Sequence, residues 1–400
     1  MLTTAEAAQA IQAAMSGLET VPVPLSDASG RVLRQTIHAE RDQPPFDRVM
    51  MDGIAIRHSD FAAGQREFPI QATQHAGDRA LSLDDARCIE IMTGAALPAN
   101  ADCIVPVERL TVTDGIATIE SGYPAESRQF IHPRGSDFER DVQLLAPGIR
   151  IAPMDIAVIA SCGLTEVEVS VSPTVTVIST GNELVPGGAP IEPQQVRLSN
   201  GPALVALLAA HGYADSRHDH IADDPAILES RIGEYLASSQ ALVLSGGVSM
   251  GKADFVPGVL DALGVKQVFH KISQRPGRPM WFGIGPKGQA VFALPGNPVS
   301  ALVCCRQYVV PALNRASGRR ASSPEFAVLS QDVKFAPELT CFLPVNIISN
   351  AAGQALAMPV HTNTSGDFAA LSGTTGYVEL PLEESLFRTG RAVPLHRWMP

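Results

Sequence analysis

Two sets of side chains in this sequence could act on an anion. The first is Ser245-Gly246-Gly247-Val248-Ser249-Met250-Gly251, followed by Asp254. Glycines there permit positive φ and let a ligand approach the backbone closely. Successive N–H groups in such a turn can form a nest for an oxyanion. Asp254 precedes Val256, Val259, Leu260 and Leu263, where it can cap a helix or hold a divalent cation that bridges to the anion. The structural alternative is a tight turn plus a cap. The second set is Lys271-Ile272-Ser273-Gln274-Arg275-Pro276-Gly277-Arg278, three cations around a rigid Pro-Gly turn. That arrangement suits a tetrahedral oxyanion or a phosphate, with a solvated turn as the alternative. The acids Asp52, Asp137, Glu183, Asp223 and Asp224 each have a local reading as well, Asp52 as a turn residue and Asp224 as an N-cap. Mg²⁺ takes oxygen ligands, usually one or two carboxylates plus substrate phosphate. Glu183 and Asp254 follow strands that could be neighbours, so they form the best metal pair. No Walker A motif, HExxH or nucleophile elbow is present, and the histidines lack zinc-ligand spacing.

These residues need elements to position them. From Thr174 onward, short β-branched or apolar runs alternate with helical patterns, which predicts a largely parallel, doubly wound sheet. The expected strands include Thr174 to Ile178, Ala241 to Leu244, Val265 to Ile272 and Ala290 to Leu294. Asn200 is expected to cap a helix over 201–211, Asp224-Pro225 to open a second helix, and Asn297-Pro298 a long one reaching about Ala316. In such sheets ligands bind beyond the carboxyl ends of the strands. Three conspicuous segments stand there: Ser179-Thr180-Gly181-Asn182-Glu183-Leu184, the stretch from Ser245 to Asp254, and Pro295-Gly296-Asn297-Pro298, whose helix N-terminus also favours anions. Upstream, Thr4 to Leu18 reads as a helix capped at Thr4, and two strands, Val21 to Leu25 and Val32 to Ala39, flank the Asp27-Ala28-Ser29-Gly30 turn. Residues 46–132 read as a small β-rich domain, and those after Gly318 as a β-barrel or sandwich.

Four hundred residues predict two to four domains. A net charge of −11 argues against nucleic-acid binding but leaves a local anion site open. Six cysteines without a CxxC pair are expected to be reduced, buried thiols of a cytoplasmic protein. The first 14 residues lack a basic segment ahead of an apolar core, and no window is apolar enough for a membrane span, so neither a signal peptide nor a membrane anchor is expected.

The ordered set Phe46-Asp47…Met51-Asp52-Gly53, Met92-Thr93-Gly94, Ser179 to Leu184, Ser245 to Gly251 with Asp254, Arg275-Pro276-Gly277-Arg278-Pro279 and Pro295-Gly296-Asn297-Pro298-Val299-Ser300-Ala301 resembles the molybdopterin molybdenumtransferase family, which includes the gephyrin E-domain. The resemblance spans nearly the whole chain. It implies four parts: residues 1–45 with 133–172, an inserted β-rich domain over 46–132, an α/β molybdopterin-binding domain over 173–318, and a C-terminal β-barrel over 319–400. It implies insertion of molybdate into adenylylated molybdopterin with release of AMP and use of Mg²⁺. It also implies a homodimer with a shared site, working between an upstream molybdopterin adenylyltransferase and recipient molybdoenzymes. By the resemblance Glu183, Asp223 and Asp254 are acids of the α/β site, and Asp52, Thr93 and Asp137 come from the partner subunit. Lys271, Arg275 and Arg278 line an oxyanion region, and Pro295 and Pro298 form a rigid loop. Ser245, Gly246, Gly247, Ser249 and Ser365 join them as substrate contacts. Departures include Val49-Met50 before Met-Asp-Gly, Ile54 in place of an aromatic, and arginines where lysines are usual in the Pro-Gly loop. Other readings of the same fold are a non-catalytic scaffold and a related pterin- or nucleotide-processing enzyme.

Overall fold

The computed structural model describes residues 1–247 and 255–400. The chain divides into two compact units. One comprises Met1–Gln35, Pro147–Ala152 and Glu166–Pro400; the other comprises Thr36–Ala146 and Pro153–Thr165.

The first unit is built on a six-stranded sheet in the order Arg217–Ile221, Val175–Thr180, Ala241–Ser245, Ala290–Leu294, Trp281–Ile284, Lys266–His270. The first four strands are parallel, and the last two form an antiparallel edge. The strand Trp281–Ile284 lies outside the sequence expectation, because Pro279 and Gly283 interrupt its apolar run. Alternation decides which face each residue covers. Val175, Val177, Val243 and Phe292 pack with Leu204 and Leu208 of the helix Asn200–Ala210 and with Ile11 of the helix Thr4–Ala14. Ile178, Leu242, Leu244 and Val291 pack with Leu228 and Ile232 of the helix Pro225–Ser238 and with Leu260 of the helix Val256–Ala262. Helices therefore cover both faces, as a doubly wound sheet requires.

Several local expectations are corrected. The first helix is capped by Thr3, in a reciprocal capping box with Glu6, one residue earlier than the sequence suggested. Thr20–Pro24 pairs antiparallel with Glu166–Ser170, while Val32 and Leu33 bridge Arg150 and Val169, so no hairpin closes at residues 27–30. A 3₁₀ turn at Leu25–Asp27 redirects the chain there. The long final helix runs as Pro298–Cys304, a π turn at Cys305–Val309 and Val310–Ala316. The π turn precedes Pro311, whose ring would clash with, and whose missing N–H could not bond, a regular helical turn.

The same unit carries a closed five-stranded barrel. Thr340–Ser349 pairs with Ala355–Pro359, which pairs with Glu325–Leu329, then Ala392–Arg397, then Gly376–Leu380, which returns to Thr340–Ser349. Ala327, Leu329, Val345, Ala357, Val378, Leu380 and Val393 fill it. Closure removes the exposed edges an open sheet would leave.

The second unit holds a six-stranded sheet in the order Cys103–Pro106, Gly53–Ile56, Cys88–Ile91, Glu67–Gln74, Ile116–Ile119, Leu110–Thr113. Gly53 is required there, because a Cβ at its φ of +158° would run into the Val105 carbonyl. All six cysteines are buried and free, as expected. Among the described residues no helix is long and apolar enough to cross a membrane.

Candidate active site

In the first unit, three loops leave the carboxyl ends of adjacent parallel strands, where Ser179, Ser245 and Leu294 stand in register. The fold draws these loops together through side chains that sequence patterns assigned elsewhere. Asn200 is not a helix cap. Its Nδ2 donates to Ser245 Oγ and to the Gly296 carbonyl, both at 2.8 Å, tying the Gly-rich turn to the Pro295-Gly296-Asn297 loop. The Gly246 N–H points to the Leu294 carbonyl at 3.4 Å. Gly246 and Gly247 adopt φ of +104° and +64°, and a Cβ on Gly246 would lie 2.6 Å from the Thr180 carbonyl. Only glycine allows this approach.

Thr180 Oγ1 is buried, with Thr180 only 3% exposed, and has no hydrogen-bond partner among the described residues. A Cβ built on Gly246 or Gly247 would lie 3.0 or 3.1 Å from that oxygen, so the hydroxyl faces the glycine turn. Buried hydroxyls are nearly always paired, so this one stands out beside the glycine cradle. Thr180 lies inside a motif the sequence singled out, but only the fold shows that its hydroxyl is unpartnered. The loop following it is pinned twice. His220 Nε2 donates to the Gly181 carbonyl at 2.9 Å, and the Asp223 N–H donates to Asn182 Oδ1 at 3.0 Å. Glu183 is exposed on this loop, and its carboxylate makes no hydrogen bond or ion pair with the described residues. Its oxygens are therefore open to a hard cation. Ser249 and Asp254 lie outside the described residues. Among the described residues no three His, Cys, Asp or Glu side chains come together as a metal cage.

The basic loop is braced from below. Gln274 is fully buried, donates Nε2 to the Pro276 carbonyl at 3.0 Å and accepts from the Tyr308 hydroxyl. Arg275 pairs in parallel with Cys341 of the barrel. A Cβ on Gly277 would meet Cys304 Sγ, so the turn sits directly on the long helix. Lys271 adopts φ of +73°, unusual for a lysine, while its N–H donates to the Met280 carbonyl at 2.9 Å. Arg275 and Arg278 are exposed and, among the described residues, pair with no carboxylate. Arg275, Val299, Phe342, His361, Thr364 and Ser365 line a cleft of about 230 Å³. Ser365 docks on the start of the Pro298 helix, accepting from Asn297 Nδ2 at 2.7 Å while its carbonyl accepts from the Val299 N–H at 3.1 Å. Asn297 thus reaches the C-terminal segment instead of capping its own helix.

The second unit holds Asp52, Thr93 and Asp137. Asp52 Oδ1 accepts from the Thr93 N–H at 2.7 Å and from Thr93 Oγ1 at 2.8 Å. Those two bonds, the backbone one first, hold its carboxyl below the usual range. Asp137 Oδ1 lies 3.0 Å from His132 Nε2, and Arg48 Nη2 lies 3.1 Å from His132 Nδ1. A guanidinium only donates, so Nδ1 accepts and Nε2 carries the proton given to Asp137. Sequence reasoning missed Arg48 and His132; their separation in the chain gave no signal.

Comparison with known proteins covers the whole chain. Residues 2–163 match the MoeA N-terminal region (domain I and II), residues 176–315 a probable molybdopterin binding domain, and residues 327–398 the MoeA C-terminal region (domain IV). A molybdopterin molybdenumtransferase from Synechocystis is 35% identical over 400 residues, covering all of both chains. One from Staphylococcus aureus (strain COL) is 30% identical, covering 98% of this chain and 94% of its own. The crystal structure of a molybdopterin biosynthesis MoeA protein from Pyrococcus horikosii superposes with a TM-score of 0.82 at 30% identity and covers all of both chains.

Proposed function

This chain belongs to the molybdopterin molybdenumtransferase family and is an enzyme of molybdenum cofactor biosynthesis, and we propose that it inserts molybdate into adenylylated molybdopterin with release of AMP. The observation that carries this reading is the unpartnered Thr180 hydroxyl facing Gly246 and Gly247, where three strand-end loops meet. The glycine cradle and the Thr180 hydroxyl in that position bind a phosphate oxygen of the substrate's pyrophosphate. Lys271, Arg275 and Arg278 bind molybdate or the terminal phosphate through charge-assisted hydrogen bonds. Asp223 holds the Glu183 loop in place through Asn182. The cleft lined by Arg275 and Ser365 adjoins the loop at Pro295 and Pro298 and offers apolar walls for the flat pterin. Mg²⁺ bound by Glu183 and Asp254 would neutralise charge developing on the leaving AMP. The open carboxylate of Glu183 fits that role.

The active assembly in this reading is a homodimer in which Asp52, Thr93 and Asp137 of one subunit complete the site of the other. The chain is then divided functionally into residues 1–45 with 133–172, 46–132, 173–318 and 319–400. The substrate comes from an adenylyltransferase, and the product passes to recipient molybdoenzymes. AMP release from adenylylated molybdopterin, measured with and without molybdate in the presence of Mg²⁺, tests the proposal. Molybdate-dependent release supports it. Release independent of molybdate points to another nucleotide-processing enzyme, and no release points to a scaffold. Asp254→Asn keeps the shape and capping ability of the side chain but removes its charge. It should fold normally, release AMP more slowly and need more Mg²⁺ for half-maximal rate; an unchanged rate and Mg²⁺ dependence would remove Asp254 from the metal site and leave Glu183 without its proposed partner.

A further inference from the structure

Ahead of the amino-terminal end of the strand Val175–Thr180, the first unit forms a half-open pocket of about 40 Å³. Its lining includes Arg31, Arg150, Arg319, Tyr213, Asn314 and His211, and no Asp or Glu contributes to it. The three arginines come from three distant segments, the N-terminal stretch, the stretch after Pro147 and the end of the last long helix. Each is half-buried and anchored by one bond. Arg31 Nη2 donates to the Ser170 carbonyl at 2.9 Å, Arg150 Nε to the Gly30 carbonyl at 3.1 Å and Arg319 Nη1 to Asn314 Oδ1 at 3.4 Å. A guanidinium has five N–H donors in a fixed fork, so most of each fork has no acceptor among the described residues. No ion pair joins any of the three to a described carboxylate.

The fold thus gathers three like charges around one pocket, an arrangement that costs free energy unless an anion offsets it. Neighbouring groups register the positive field. Burial pushes the His211 imidazole down to about 4, against the opposing pull of its hydrogen bond to the Trp398 carbonyl, and Arg306, Arg319 and Arg150 add to the lowering, so it stays neutral. Its Nε2–H donates to the Trp398 carbonyl at 2.9 Å, which leaves Nδ1 as the acceptor of the neutral ring. One water needs roughly 10–15 Å³ of such volume, so the cavity holds about three waters or one small oxyanion. The cavity is distinct from the site above. Ser172 and Pro173 in its wall lead into the strand Val175–Thr180, whose far end carries the Thr180 loop. Strand residues advance about 3.3 Å each, so the six of this strand put roughly 17 Å between the two places, more than one tetrahedral oxyanion can span.

We propose that this cavity is a second oxyanion site, taking one tetrahedral dianion of the phosphate, sulfate or molybdate class. The bound ion joins the three segments that supply Arg31, Arg150 and Arg319, so occupancy is linked to stability.

Equilibrium dialysis of the full-length protein against labelled molybdate, and separately labelled phosphate and sulfate, gives the stoichiometry. A saturable component should survive Arg275→Gln/Arg278→Gln, because it does not depend on the basic loop. The same component should weaken about ten-fold or more in Arg150→Gln/Arg319→Gln, through loss of charge-assisted bonds. Comparable affinity for all three ions identifies a general structural anion, and preference for molybdate identifies a substrate-side reservoir; both support the site. Phenylglyoxal modification of the wild-type protein, read by peptide mass spectrometry, needs no variant to fold. Phosphate should protect Arg31, Arg150 and Arg319, and chloride at matched ionic strength should not. The proposal is overturned if no saturable component remains once Arg275 and Arg278 are replaced, or if phosphate leaves the three arginines unprotected.

Discussion

The Thr180 hydroxyl is the group that most directly separates structure from function here. A buried hydroxyl without a partner costs about 1–3 kcal/mol. Thr180→Val keeps the β-branched shape that suits its strand and removes that cost. The ligand-free variant should therefore melt at the same temperature as wild type or higher, while the KM for adenylylated molybdopterin rises. A lower melting temperature with normal KM would make the hydroxyl structural. Asp52 gives a test through pH. The two Thr93 bonds stabilise its ionised form, so the folded carboxyl titrates below its unfolded value. That stabilisation is present above the unfolded value and is lost as pH falls through the lowered one. In Thr93→Val the hydroxyl bond is gone and the backbone bond remains. The acidic limb of the rate profile should move to higher pH, with activity near neutrality little changed. An unmoved acidic limb would dissociate Asp52 from the rate.

At the scale of elements, the basic loop depends on a brace its own sequence does not reveal. Gln274 joins the Pro276 carbonyl above to the Tyr308 hydroxyl below, and both Gln274 and Tyr308 are buried. Tyr308→Phe leaves a buried amide oxygen unsatisfied, at a cost of about 1–3 kcal/mol. It should lower the melting temperature and also raise the molybdate concentration for half-maximal rate, because the orientation of Arg275 is no longer fixed. A lower melting temperature with unchanged molybdate dependence would confine Tyr308 to the core. The brace also shows which parts of the fold were legible. Strands such as Ala241–Ser245 and Ala290–Leu294 are continuous apolar runs, and Asp224-Pro225 is a local helix start, with Asp224 Oδ1 accepting from the Ala226 and Ile227 N–H groups. Those signals lie within a few residues. Thr20–Pro24 finds its partner at Glu166–Ser170, and Asn200 spends its amide on Ser245 and Gly296. Such pairings are chosen by long-range packing, which local periodicity does not carry. The acids and cations of the candidate site were legible as residue types, whereas Thr180, Gln274, His132 and Arg48 acquire their roles only through neighbours distant in sequence.

At the scale of the whole molecule, a chain with net charge −11 gathers cations that pair with no described carboxylate on the Arg275–Arg278 loop and around the Arg31, Arg150 and Arg319 pocket. A local positive field against an acidic background favours small anions and discourages polyanions. Asp52 lies in one compact unit and the Glu183 loop in the other. In the proposed two-fold dimer, each site takes Asp52 from one subunit and Asp254 from its partner. Complementation follows directly. Asp52→Ala and Asp254→Ala homodimers should both be inactive. Mixing them after reversible dissociation gives about half heterodimers, each with both lesions in one site and the other intact, so roughly a quarter of wild-type activity should return. The reciprocal mixture discriminates further. A chain carrying both substitutions, paired with a wild-type chain, places one lesion in each shared site and should yield inactive heterodimers. If each site belonged to a single chain, the outcomes would reverse: the first heterodimer would be dead and the second would retain one working site.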